Sequence, residues 1–305
     1  MNIFSTLSLR IIPLLIIIIL GYIAGRFLGV NKKSISPLLI YILAPIIIFN
    51  GVATTTLNIT SLSLPIIFFI LACLMCLIFY RLSKYYWKDN TRNLLAFTSG
   101  TGNVGYFGIP VAMTIFSNNQ VGLVILSVLG FILYQNSLGF FILAKGDHTA
   151  KESLVKLLKL PTIYAFIIGL IVNLSHIPLG QIYVDGVANI RGAYIFLGMV
   201  LIGISMADNK GYKRDYKFIS ISFLAKFIVW PMLAMLVIVL DEMLFKLYGP
   251  EEHAVIILMS IVPLAANTVA FATELKVQPE KASLAVLLST LFALIYIPLI
   301  ASIFF

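Results

Sequence analysis

The sequence predicts an all-α integral membrane protein: ten transmembrane helices forming a five-plus-five inverted repeat, two of them broken. Three observations carry the prediction. Hydrophobic residues make up 61% of the 305 positions and charged residues only 11%, whereas a soluble domain is roughly a quarter charged. Apolar runs of the length that spans a bilayer recur along the whole chain. Two of these runs are interrupted by small and polar residues, at matching places in the two halves.

Taken in order, the predicted spans lie near 7–28, 35–54, 61–80, 94–116, 121–144, 160–176, 187–207, 216–240, 253–273 and 282–304. Residues 2–10 followed by an apolar run resemble a signal peptide. The heavier basic cluster comes after the run (Arg26, Lys32, Lys33), however, so the segment reads as span one. Cys73 and Cys76 form a C-x-x-C inside span three with no His or carboxylate near, which reads as two small core residues. Spans one to five and six to ten flank the polar segment Lys145–Glu152, giving a first repeat at 1–148 and a second at 149–305. An odd number of spans per half forces the halves into opposite orientations.

Basic residues fix the expected orientation. All but Arg10, Arg191, Lys226 and Lys246 of the 21 Lys and Arg fall in the odd-to-even connections. The positive-inside rule places those connections in the cytoplasm and both termini outside, in a multi-pass protein of the cytoplasmic membrane. The formal charge of +9 is thus topology signal and not a nucleic-acid footprint. His148, His176 and His253 share no metal-ligand spacing, so neither metal nor cofactor is expected.

The interruptions are Gly100-Thr-Gly-Asn-Val-Gly-Tyr-Phe-Gly-Ile-Pro110 in span four and Val262-Pro-Leu-Ala-Ala-Asn-Thr-Val-Ala-Phe-Ala-Thr-Glu274 in span nine. Aligning Asn103 with Asn267 places Gly102 opposite Ala266 and Ser99 opposite Pro263. A helix broken at membrane depth strands backbone polar groups, tolerable only where the break lines a protein cavity. Paired breaks of this kind point to the binding site of a secondary transporter.

The motif Asn103-Val-Gly-Tyr-Phe-Gly-Ile-Pro110 resembles the Asn-x(4)-Gly-Ile-Pro signature of the auxin efflux carrier family. Pro263-Leu-Ala-Ala-Asn267, Ala272-Thr-Glu274 and Ala282-x-x-Ala-Val-Leu-Leu-Ser289 are similar to its ninth-to-tenth span region. The short central connection looks like the bacterial branch. The resemblance implies that spans four and nine cross at their unwound points. It also implies a discontinuous transport domain (spans 3–5 and 8–10) moving as an elevator against a scaffold of spans 1, 2, 6 and 7, often a homodimer surface. Its substrates are organic anions: auxin in plants, malate- or malonate-type acids in bacteria. The plant carriers have proline at both crossover points, where this chain has Gly102 and Ala266. Since Ala is a good helix former, the second break is expected to be milder or moved to Pro263.

Asn103 and Asn267 head the candidate substrate ligands, because an amide offers donors and acceptors without the expense of a buried charge. The alternative is that both only satisfy unwound backbone. Thr101, Gly102, Tyr106 and Thr268 lie within about a turn, while Asn50 and Ser205 approach from spans two and seven. Gly100, Gly105, Gly108, Pro110 and Pro263 are the helix-breaking residues. Lys226, deep in span eight, and Glu274, near the inner end of span nine, are the candidate groups for coupling to protons. Sodium could instead use freed carbonyls beside the two Asn, and uniport needs neither ion. A membrane enzyme would need an acid–base pair, a metal cluster or an activated nucleophile at depth, and the sequence shows none. The reading left beside the transporter is a receptor that binds an organic acid without moving it.

Overall fold

The computed structural model describes residues 3–144, 161–207 and 215–304, excluding the side chains of 3–11, 14, 15, 32, 36, 40, 205, 206, 273 and 274. Every regular element among them is a helix. The first half runs α1 (Ile3–Phe27), α2 (Lys32–Pro37), α3 (Ala44–Thr54), α4 (Ile59–Ser83), α5 (Thr91–Ser99), α6 (Ile109–Ile115), α7 (Asn118–Gln135) and α8 (Leu138–Leu143). The second runs α9 (Pro161–Leu174), α10 (Gln181–Ala207), α11 (Tyr216–Leu224), α12 (Trp230–Leu240), α13 (Pro250–Ile261), α14 (Asn267–Glu274) and α15 (Pro279–Phe304).

Among the described residues five stretches are long and apolar enough to cross a membrane: Ile59–Ser83, Asn118–Leu143, Gln181–Ile204, Tyr216–Phe245 and Pro279–Phe304. Shorter apolar helices occupy Ile16–Phe27, Tyr41–Thr54 and Pro161–Leu174. Ile66, Ile70, Ile168, Met232 and Ile295 stand exposed on their outer faces. Water would penalise so much bare apolar surface, whereas lipid tails accept it. The chain is a multi-pass membrane protein.

Among the described residues four π-helical turns punctuate the helices, at Leu38–Leu43, Val104–Gly108, Ala225–Val229 and Asp241–Phe245. The first three are each followed, two residues on, by a proline: Pro45, Pro110 and Pro231. A proline donates no N–H and its ring clashes with the carbonyl four residues back. The preceding turn therefore widens. The N–H groups of Ala44, Ile109 and Trp230 reach the carbonyls of Leu39, Val104 and Ala225, five residues back in each case.

Small residues set the packing, as is usual where no hydrophobic force separates helix from lipid. On the face between α1 and α10, a Cβ at Gly203 would collide with the Ile18 carbonyl, and one at Gly21 with that of Val200. Helix α9 lies on α3, with Gly169 against Phe49 and Val52. The Asn173 amide donates to the carbonyls of Val52, Ala53 and Thr55 at 2.9, 3.0 and 2.7 Å, closing the end of α3. In a second group α4 packs on α5 and α7, and α15 on α11, α13 and α14.

Candidate functional site

Helix α5 stops at Ser99 and the chain resumes helical form at Val104; α13 stops at Ile261 and resumes at Asn267. The second break is no milder than the first, and it starts directly before Pro263. Val262 is extended (φ −62°, ψ 152°), as expected of a residue whose α conformation is blocked by the following proline ring. That effect outweighs the helix propensity of Ala266.

The two breaks meet. The Asn103 backbone N–H donates to the Pro263 carbonyl at 2.7 Å, and the Asn103 carbonyl accepts from Gly108 at 2.8 Å and Phe107 at 3.2 Å. The hydroxyls of Thr101 and Thr268, both fully buried, lie 3.3 Å apart. On the other flank Trp230 donates its indole N–H to the Ser99 carbonyl at 2.7 Å. Stranded backbone acceptors on both sides are thus satisfied, as a dry interior requires.

Beside this junction lies a cavity of about 420 Å³. Gly102, Asn103, Gly105, Tyr106 and Asn267 line it, as do Ile47 and Ile48 of α3 and Tyr194 of α10. Further polar residues of its wall are Gln135 and Asn136, where α7 ends, with Thr162 and Tyr41. The Asn267 amide donates to Gln135 Oε1 at 3.5 Å. Asn103 Nδ2 is buried and has no hydrogen-bond partner among the described residues. The Tyr106 and Tyr194 rings lie 6.4 Å apart between centroids. None of the described lining residues is charged.

Other expected residues stand elsewhere. Thr101 and Thr268 join the breaks to each other and do not line the cavity. Asn50 also lies outside the lining, where its Oδ1 accepts from the Tyr183 hydroxyl at 3.3 Å. Gly100 packs under the Tyr134 ring, Gly108 faces Val262, and Pro110 opens α6 past the break. Lys226 is fully buried behind Gly102, with Nζ 4.8 Å above the Trp230 ring centroid. The side chains of Ser205 and Glu274 lie outside the described residues. Sequence reasoning missed Gln135, Asn136 and Tyr194. The run Gln135-Asn136-Ser137 inside an apolar span was a usable signal, whereas a lone tyrosine in an apolar run was not.

The family model described as membrane transport protein matches residues 6–301, nearly the whole chain. The chain belongs to the auxin efflux carrier family of membrane transport proteins. It is also similar to an uncharacterized transporter of Methanocaldococcus jannaschii. The two share 26% identity over 307 residues, covering 95% of this chain and 96% of that protein. The family and this relative make the chain a transporter and not an enzyme.

Proposed function

We propose that this family member is a secondary transporter carrying a small organic anion, a carboxylate, across the cytoplasmic membrane. The observation that carries the reading is the junction of the two breaks beside the cavity, closed by the Asn103–Pro263 backbone bond. Asn103 and Asn267 each stand where a helical segment restarts. The first N–H groups of a helix lack intrahelical acceptors and carry partial positive charge, so both restarts favour an anion. Amides from Asn103, Asn267, Gln135 and Asn136 supply donors, and Phe131 and Phe271 supply apolar wall.

In this reading the broken elements are the crossing spans four and nine of a ten-span inverted repeat. Spans 1, 2, 6 and 7 form the scaffold, and spans 3–5 and 8–10 the moving body. The pairing of α1 with α10 and of α3 with α9 supports that division, as does the cavity's position between Tyr194 of α10 and the two breaks. The body moves as an elevator, both termini are outside, and two copies pair through the scaffold. No carboxylate stands among the described lining residues, which favours uniport or proton coupling over a sodium site.

Uptake of radiolabelled malate, malonate and indole acetate into liposomes holding the purified protein tests the function. Saturable uptake of one acid, lost in Asn267→Ala, is the expected result. Saturable binding of an acid with no uptake would make the protein a receptor instead.

A further inference from the structure

Lys226 sits on the π-helical turn Ala225–Val229 that Pro231 imposes, and such turns recur at functional sites. Its side chain is fully buried. Among the described residues Nζ has no hydrogen-bond partner and no carboxylate pairs with it. Its nearest aromatic neighbour is Trp230, whose ring is held in place by the bond to Ser99. An unpaired buried ammonium is expensive, and an opposite charge arriving nearby would offset that cost.

The anion of the proposed transport cycle supplies that charge. Gly102 lines the cavity on one side and faces Lys226 on the other: a Cβ at Gly102 would lie 3.0 Å from Nζ. Gly102 therefore stands between the lysine and the cavity, with the Val262 and Val104 side chains beside it. Asn103, the residue with the free buried amide donor, is the next residue in the chain. An anion held by Asn103 would feel the ammonium through a low-dielectric layer that neither water nor salt screens.

We propose that Lys226 determines the charge specificity of the site. It is an internal cation that acts through the Gly102 wall, without contact, on an anion in a cavity that no basic side chain lines among the described residues. The inference rests on the anion-transport reading above and adds the residue that selects for charge. A snorkelling lysine would reach the membrane surface; this one is enclosed on all sides.

The test compares each acid with its uncharged amide, because a purely structural role of Lys226 would weaken both alike. Dissociation constants of purified protein would be measured for indole acetate and indole acetamide, and for malate and malamide. In the wild type the acid is expected to bind at least roughly 30-fold tighter than its amide, about 2 kcal/mol. In Lys226→Met, of similar length and uncharged, that preference should fall by about the same factor while amide affinity stays within about threefold. Lys226→Gln should behave alike and serves if the Met variant does not fold. An unchanged acid-to-amide ratio in either folded variant overturns the inference and leaves the transport reading standing. A wild type that binds neither acid overturns both.

Discussion

At the scale of single residues, two asparagines separate stability from function. Asn173 donates to three carbonyls at the end of α3, whereas Asn103 Nδ2 donates to none among the described residues. Asn173→Ala should therefore destabilise the protein by about 1–3 kcal/mol, because it uncaps carbonyls that are costly to leave unpaired. Asn103→Ala should change stability by less than about 0.5 kcal/mol, since no bond is lost. Thermal unfolding of the two variants in detergent checks the contrast, and an equal loss in both would refute it. Asn103 and Asn267 were legible in the sequence because an amide inside an apolar run, next to glycine or proline, has few other uses. Thr101 and Thr268 also stand among the candidate ligands, behind the two asparagines, yet their hydroxyls face each other. One-dimensional spacing gives distance from a break but not the side of the chain on which a hydroxyl ends. Gln135 was missed because its partner, Asn267, lies in the other half of the sequence.

Among elements, several of the apolar runs read from the sequence fall on long observed helices, since such helices are set by length and apolarity alone. The predicted run at 61–80 lies within α4 (Ile59–Ser83), and that at 282–304 within α15 (Pro279–Phe304). The π-helical turns were not read. One widened turn hardly alters an apolar letter pattern, although the proline two residues later marks three of the four. Between elements, the membrane-edge ion pair carries a pH signature. Asp215 caps α11 through the Phe218 N–H at 3.0 Å and meets Lys281 Nζ of α15 at 2.9 Å. Partial burial pushes its carboxyl up, but the Lys281 ammonium and the Phe218 N–H outweigh that and hold it below the ordinary range. A depressed carboxylate contributes its full stability above its unfolded value of about 4, and loses it as pH falls through the lower folded value. Asp215→Asn should thus be less stable than wild type at pH 7, with the gap closing below about pH 4. A gap that persists undiminished to pH 3 would contradict the assignment.

For the whole molecule, the proposed motion requires α3 to slide past α7. Gly51 of α3 packs on Ile125 of α7, and a Cβ at Gly51 would lie 2.9 Å from that of Ile125. Cysteines at both positions come close to the Cβ separation of a disulfide, about 3.5–4.5 Å. In a background lacking Cys73 and Cys76, oxidation of Gly51→Cys/Ile125→Cys should stop transport, and a reductant should restore it. Undiminished transport by the cross-linked protein would rule out a rigid displacement along this face. The central claim is that the junction of the two broken helices binds and moves an organic anion. Its most direct test is the current from liposomes holding the purified protein, adsorbed on a solid-supported membrane and challenged with malate, malonate and indole acetate. A saturable current for one acid, absent from Asn103→Ala of unchanged thermal stability, is the predicted result. The same current at the same half-saturation in Asn103→Ala would contradict it.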